Sequence, residues 1–397
     1  MLLLLCGIIV RNSSSARPDK YRASSALPTS QRHLLSRSLC SGLAVSAAVL
    51  SASKASFARN SCSCACHVGA KCTCTAPLCA LCAPSRAKAS QIMTSSSSQF
   101  ISTEFEDNNW YNPANERIYD VRKKSFLPVS QLKVLQKELN GQRIVSIGEL
   151  HSNPCHHRVE FNIIKSLVET RNPGTLSIGL ECFYRQHQKA LDDYVFRHRD
   201  FGTLKASTKW DSTWGYDLNY YAKIFNYACV HGIRLVGLNV PYPVIKLVSN
   251  YGLANLPADL RRLLPDIDLS NEDHKAQFLE LMGVHGEVQA PAALQRYYEA
   301  QCLWDEYMAE TASNLIRKDS KAESLLVLIT GAGHVMGRTG IPNRIQKRCG
   351  QLPFVIVPQQ VDWSSTTGLP DVEHPPSYAD CDWAWYTEKE VVIGKKA

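Results

Sequence analysis

The sequence predicts an α/β fold: a mostly parallel central sheet covered by helices, with a helical subdomain inserted before the fourth strand. Three observations carry this expectation. Five short, nearly all-apolar runs recur between residues 143 and 358. They alternate with stretches whose apolar residues fall at helical spacing, and such alternation indicates a parallel sheet. The runs show little in-out alternation of their own, as expected of strands covered on both faces.

In chain order, PVSQLKVLQKEL reads as a helix from Pro128 to Leu139 with Ser130 near its cap. RIVSIG (143–148) is the first core strand. CHHRVEFNIIKSLVETR places Val159, Ile163, Ile164 and Leu167 at helical spacing, and NPG ends that helix. LSIGLE (176–181) is the second strand and YRQHQKALDDYV is helical. YYAKIFNYACVHG is a helix stopped by Gly232, and IRLVGLN (233–239) is the third strand. A helical, loop-rich region covers about 244–318. ESLLVLITG (323–331) is the fourth strand, NRIQKR a helix and LPFVIVP the fifth strand.

The chain divides by composition. Of its 397 residues, the first 95 are rich in Ser, Ala and Cys; up to Lys88 they hold eleven basic residues and a single acidic one, Asp19. The net charge of +8 therefore belongs to this segment, and the remainder, with 33 basic and 35 acidic residues, gives no electrostatic reason to expect nucleic acid. Residues 1–95 read as a disordered targeting presequence and 96–397 as the α/β domain. A plastid is the first destination, with a mitochondrion or the secretory pathway as alternatives. The apolar run SLCSGLAVSAAVL followed by SASKASFA is similar to a nested export signal, which would associate the protein with thylakoids. No run approaches the roughly eighteen apolar residues of a membrane span, so no transmembrane helix is expected, though peripheral membrane contact is compatible. Seven cysteines crowd into residues 62–82. Their C-x-C spacing is unlike a zinc knuckle and reads as low complexity.

Ligands of open α/β sheets bind beyond the carboxyl ends of the strands. The residues there are Gly148-Glu149-Leu150-His151, then Glu181, then Asn239, then Gly331-Ala332-Gly333-His334. Two histidines stand identically, three residues after a strand-end glycine, where glycine lets the chain turn sharply and leaves room. A lone loop histidine is usually only a loop residue; two converging from separate strands point to a shared pocket. Glu181 ends an apolar strand and needs a partner: a metal, a histidine or Arg185. His156 and His157 open the next helix, one lining the pocket and the other capping, with Asn153-Pro154 making the turn. Cys155 and Cys182 read as structural. Two chemistries stay open for a hydrolase using Glu149, His151, Glu181 and His334: a divalent metal held by His151, Glu181 and His334 that activates water, or one histidine as a metal-free general base supported by Glu181. The sequence has no H-E-x-x-H and no G-x-S-x-G.

GELHSNPCHH, LSIGLECFYRQHQKALDDY, WDSTWGYDLNYYAKIFNYACVHGIRLVGLNVP, QCLWDEYMAETASNL and LITGAGHVMGRTGIPNRI follow in this order from Ile144 to Ile345. Together with the closing SYADCDWAWYT they resemble the ChaN family of haem-binding, iron-regulated proteins. The resemblance implies an erythromycin-esterase/ChaN-type fold within the Tiki superfamily, whose paired G-x-x-H motifs match Gly148 to His151 and Gly331 to His334. It implies haem as cofactor, a homodimer enclosing stacked haems and a tyrosine ligand, for which Tyr242, Tyr297 and Tyr298 are candidates. His151, His156, His334 and Arg344 join the cofactor-binding set, Arg344 toward a haem propionate. Tyr297, Tyr298, Trp304 and Met308 would wall a haem slot, with ordinary helix packing as the competing reading. Metalloprotease and lactone-hydrolase relatives keep the enzyme alternative open. So does a third reading, an interaction protein that has lost the chemistry. The presequence departs from the family, whose bacterial members carry a lipoprotein signal.

Overall fold

A computed structural model describes residues 115–128, 132–283, 292–318, 323–364, 370 and 380–388. The expected presequence, its cysteine-rich stretch and Ser130 lie outside these residues. The five expected strands are all present: β3 (Ile144–Glu149), β4 (Leu176–Tyr184), β5 (Arg234–Asn239), β6 (Leu325–Gly331) and β7 (Phe354–Val361). Three more join them in one eight-stranded sheet: β1 (Glu116–Asp120), β2 (Ser125–Phe126) and β8 (Trp383–Glu388). The order is β2-β1-β8-β7-β3-β6-β4-β5, parallel from β8 through β5, with β1 antiparallel to β8 and β2. Strand β6 thus returns between β3 and β4, so the ends of these three strands stand side by side.

Side chains leave a strand alternately to either face. Leu325, Val327 and Ile329 of β6 enter one core; Leu326 and Leu328 enter the other. The first core is covered by α2 (Pro154–Thr170), α3 (Gln188–Arg197) and α6 (Asn219–His231). The helix α1 (Leu132–Asn140) packs on α2, and the short α4 (Phe201–Thr208) and α5 (Trp210–Thr213) precede α6. Asn153 caps α2 by accepting from the Cys155 N–H at 2.9 Å, with Pro154 in the first turn, where a missing N–H does no harm.

The helical region before β6 is more closely integrated than its composition suggests. Its two longest helices on this face, α7 (Tyr242–Tyr251) and α10 (Ala292–Lys318), pack on each other and build the second core with α11 (Ile341–Cys349). Between them, α8 (Ala258–Arg261) adds Leu260 to the same core, and α9 (Glu272–Leu281) packs Phe278 into a small core with Tyr298. Strand β4 also runs to Tyr184, absorbing the start of an expected helix. Its register against β5 shifts between Leu180 and Tyr184. Such an irregularity re-aims side chains, and Glu181 lies within it. None of the six described cysteines forms a disulfide with another described residue, and Cys155 and Cys182 are buried.

Candidate functional site

The register sets Glu149 of β3 opposite Gly331 of β6, and Gly331 N–H donates to Glu181 Oε2 of β4 at 2.7 Å. The three adjacent strands therefore end in one polar row. A Cβ built on Gly331 would stand 3.1 Å from both Cε1 and Nε2 of His151 and 3.6 Å from Glu181 Oε2. At Gly148 it would meet Val335 at 2.5 Å. Gly331 has φ −55°, open to any residue, so what glycine supplies there is space and not a special turn. His151 and Glu181 meet across that space.

Two polar clusters flank this row. On the α2/α6 side, His151 Nδ1 lies 2.6 Å from Glu149 Oε1, which also accepts from the Tyr221 hydroxyl. His157 Nε2 donates to the His151 carbonyl at 3.0 Å, and its Nδ1 faces Glu160 Oε2 at 3.0 Å and Glu149 Oε2 at 3.2 Å. Trp214 and Tyr216 pack their rings against His151, and Tyr220 stacks parallel to His157. Burial pushes the Glu149 carboxyl up, but the charges of His157 and His151 and the His151 hydrogen bond hold it well below the carboxylate range. Burial lowers His157, yet the charges of Glu160 and Glu149 raise it to about 9. Burial, reinforced by the Glu149 charge, drives Glu160 well up. His156 accepts from the Leu150 N–H at 3.0 Å, and burial pushes it down to about 3, so it is a neutral buttress for the loop.

On the α10/α11 side, His334 Nδ1 is 2.5 Å from Asp305 Oδ1 and its Nε2 is 3.4 Å from Glu181 Oε1. Burial raises Glu181, but the charge and hydrogen bond of His334, then the charge of His151, bring it below its ordinary value. Asp305 Oδ2 also faces His274 Nε2 at 3.0 Å and Arg344 at 3.7 Å. His334, His274, Phe278, Leu281, Gln301 and Gly333 line a cavity of about 20 Å³, room for a single water.

The structure thus brings Glu149, His151, Glu181 and His334 to one strand-end row. Several expected roles change. Arg185 is not the partner of Glu181. It bonds Thr311, Glu310 and the Tyr307 carbonyl, and Glu181 has Gly331 and His334 instead. Arg344 is 2% exposed and points inward, toward Asp305, Glu306 and the carbonyls of Thr339 and Gly340. Tyr297 and Tyr298 fill a small core with Phe278 and Cys302, and Met308 is buried in the second core. Trp304 donates to Asn239 Oδ1 at 2.5 Å and holds the end of β5. Tyr242 is half-buried at the start of α7 beside Tyr184, whose hydroxyl reaches the Thr213 carbonyl. Among the described residues, the compact Glu/His group able to hold a metal is Glu149, His157 and Glu160, with ligand atoms within 4.8 Å of one another. The expected set was His151, Glu181 and His334.

Sequence reasoning did not single out Glu160, Tyr221, His274 or Asp305. A signal existed for two of them. Glu160 follows His157 by three positions on a helix rich in apolar residues, and Asp305 interrupts the apolar Cys302-Leu303-Trp304 run of α10.

The fold has a counterpart among solved structures. The ChaN of Campylobacter jejuni, described as binding haem cofacially, is 17% identical with a TM-score of 0.52, covering 69% of this chain and 98% of that one. A mutant of the erythromycin esterase EreC in its open conformation is 14% identical with a TM-score of 0.37, covering 66% and 79%. Protein RETICULATA-RELATED 5, chloroplastic, of Arabidopsis thaliana is 24% identical over 239 residues, 57% of this chain; the match spans 32% of that protein, about a third of its length. The model of the family described as haem-binding uptake, Tiki superfamily, ChaN, matches residues 135–345. That match takes in more than half of the sequence and every residue of the strand-end row, and the chain belongs to this haem-binding ChaN family.

Proposed function

We propose that this protein binds haem or a related iron tetrapyrrole on the carboxyl-end rim of its sheet and acts in a plastid. The observation that carries the reading is the family match across the whole strand-end row. The cavity of about 20 Å³ beside His334 is too small for a porphyrin, so this reading puts the haem on the rim and not inside that cavity. The residues that fit are the half-buried aromatics of the rim: Tyr216 over His151, Tyr220 over His157, and Tyr242 beside Tyr184. A phenolate is an established axial ligand for haem iron, and we assign that role to Tyr216 or Tyr242. A haem on an open rim leaves one face uncovered, and a second copy of the chain with its own haem would cover it, which is compatible with the cofacial haem binding described for the C. jejuni protein. The plastid assignment is supported by the Ser/Ala/Cys-rich basic first 95 residues and by the chloroplast-named relative. A fluorescent fusion of the full chain should co-localise with plastids; cytosolic signal would refute that part.

The haem test is titration of the full chain, followed in the Soret region. A saturable shift is expected, abolished or moved in either Tyr216→Phe or Tyr242→Phe. No saturable shift overturns the proposal. A second reading rests on one specific observation: two carboxylate-held imidazoles, Glu149–His151 at 2.6 Å and Asp305–His334 at 2.5 Å, converge on Glu181. A carboxylate holding Nδ1 leaves Nε2 as the basic nitrogen, the geometry of a general base. His151→Ala and His334→Ala separate the readings: haem uptake in the Soret titration should survive both, while any hydrolysis, followed in a separate ester- or lactone-cleavage assay, would be lost.

A further inference from the structure

Glu149, His157 and Glu160 form a cluster that the haem reading leaves unused. All three are buried, at 1%, 5% and 0% exposure. His157 Nε2 is fixed as a proton donor, because the carbonyl of His151 can only accept. Nδ1 then faces two carboxyl groups, at 3.0 and 3.2 Å, and becomes a ligand lone pair where a cation displaces the proton that those carboxyl groups hold on it. Glu149 Oε1 is committed to His151 and Tyr221. Glu149 Oε2 has His157 Nδ1 at 3.2 Å and the Glu160 carboxyl beside it, and Glu160 Oε1 is buried with no hydrogen bond among the described residues. Two carboxylate oxygens in that position need either a shared proton or a cation, because a buried unpaired carboxylate is strongly unfavourable.

The geometry favours a cation. A histidine that donates its far N–H to a backbone carbonyl has the outer-shell arrangement of a metal ligand, with its ring held in one tautomer. Metal–ligand distances of about 2.0–2.2 Å put neighbouring ligand atoms roughly 3.0–3.6 Å apart. The two N–O separations already fall in that range. One imidazole and two carboxylates also suit a first-row divalent ion better than a soft thiolate-seeking one.

We propose that Glu149 Oε2, His157 Nδ1 and Glu160 bind a divalent first-row transition-metal ion beneath the Tyr220 ring. Glu149 is then shared. One oxygen holds His151 of the strand-end row and the other holds the ion, so the ion's charge reaches His151 through a single carboxylate. The ion would lie just beneath a rim residue of the haem reading, Tyr220, and the site is tested on the haem-free protein so that either proposal can fail alone.

The experiment is metal analysis of the full chain, purified and then exposed separately to Mn²⁺, Zn²⁺ and anaerobic Fe²⁺, with each ion's affinity measured by calorimetry. One equivalent retained through buffer exchange is expected, with a chelator-reversible rise in melting temperature. Glu160→Gln keeps the shape of a protonated carboxyl but removes a ligand, and should weaken binding at least tenfold. His157→Gln should do the same. If wild type retains no ion, or if Glu160→Gln binds the ion as tightly as wild type, the cluster holds a proton and the proposal is overturned. Should Glu160→Gln fail to fold, wild-type stoichiometry together with the His157→Gln affinity decides.

Discussion

Asp305 and Glu160 are both fully buried carboxyl groups on covering helices at the same end of the sheet, on opposite faces of it. Their company differs. Asp305 is surrounded by bases: His334 at 2.5 Å, His274 at 3.0 Å and Arg344 at 3.7 Å. Its neighbour Glu306 is paired with Arg344 and Arg348. Glu160 instead faces another carboxyl group, Glu149, and the two have His157 between them. On the α10/α11 side the chain itself completes the charge balance. On the α2/α6 side it leaves positive charge to be supplied by a proton or an ion. A cluster that completes itself organises structure, and a carboxyl-rich one is where a ligand is expected.

The comparison can be broken by making one chemical change on each side. The larger effect belongs to Asp305→Asn, which strands His334, His274 and Arg344 around a neutral amide. Removing one member of a buried charge pair destabilises by about 3–5 kcal/mol. Urea unfolding of the full chain should show a loss of that order at neutral pH. The pH dependence has a definite sign. Burial would raise the Asp305 carboxyl, but the charge of His334 and the hydrogen bonds of His274 and His334 hold it below its ordinary value. Its stabilisation is therefore present above the unfolded value of 3.8 and is lost as pH falls below it. Wild type and variant should converge in strong acid and diverge toward neutrality. A loss of under about 1 kcal/mol would mean that the α10/α11 cluster is not what holds that side together.

The sequence makes the strand-end row legible because its residues sit where an apolar run stops, and that position is defined without knowing any contact. Glu149, His151, Glu181 and His334 are found this way. Glu160 and Asp305 are not, because helices α2 and α10 are buried on nearly every side along their middle turns. With no polar face for contrast, the 3.6-residue period does not show which way a lone carboxylate points. Strand β1 is hidden for a related reason. In ERIYD the inward positions are Glu116, Ile118 and Asp120, so two of three buried residues are acidic. Arg158 and Trp385 satisfy Glu116, and Lys123 satisfies Asp120. Lys123 follows Asp120 by only three residues, but Arg158 and Trp385 are far from Glu116 in sequence, so nothing local announces the strand. The five strands β3–β7 need only apolarity to be read; β1 and β8 depend on pairing between segments distant in sequence.

The smaller effect, and the sharper one, belongs to Glu160→Gln in protein stripped of metal by a chelator. Burial and the charge of Glu149 push the Glu160 carboxyl well above its ordinary value, so without an ion it is the protonated member of the cluster. An amide of the same shape replaces a neutral acid there, and isosteric exchange between neutral groups shifts stability by about 1 kcal/mol or less. The sign with pH is opposite to that at Asp305. A group whose folded pKa is raised contributes stability that is complete below the unfolded value of 4.5 and is lost as pH rises. The amide has no such loss, so melting temperatures should match near pH 4.5, and the variant should hold or gain relative to wild type toward pH 8. With a divalent ion restored the order should reverse, because only wild type can bind the ion and be stabilised by it. If Glu160→Gln instead destabilises the metal-free protein as strongly as Asp305→Asn, the two clusters are alike, and the contrast between a self-completing side and a ligand-seeking side fails.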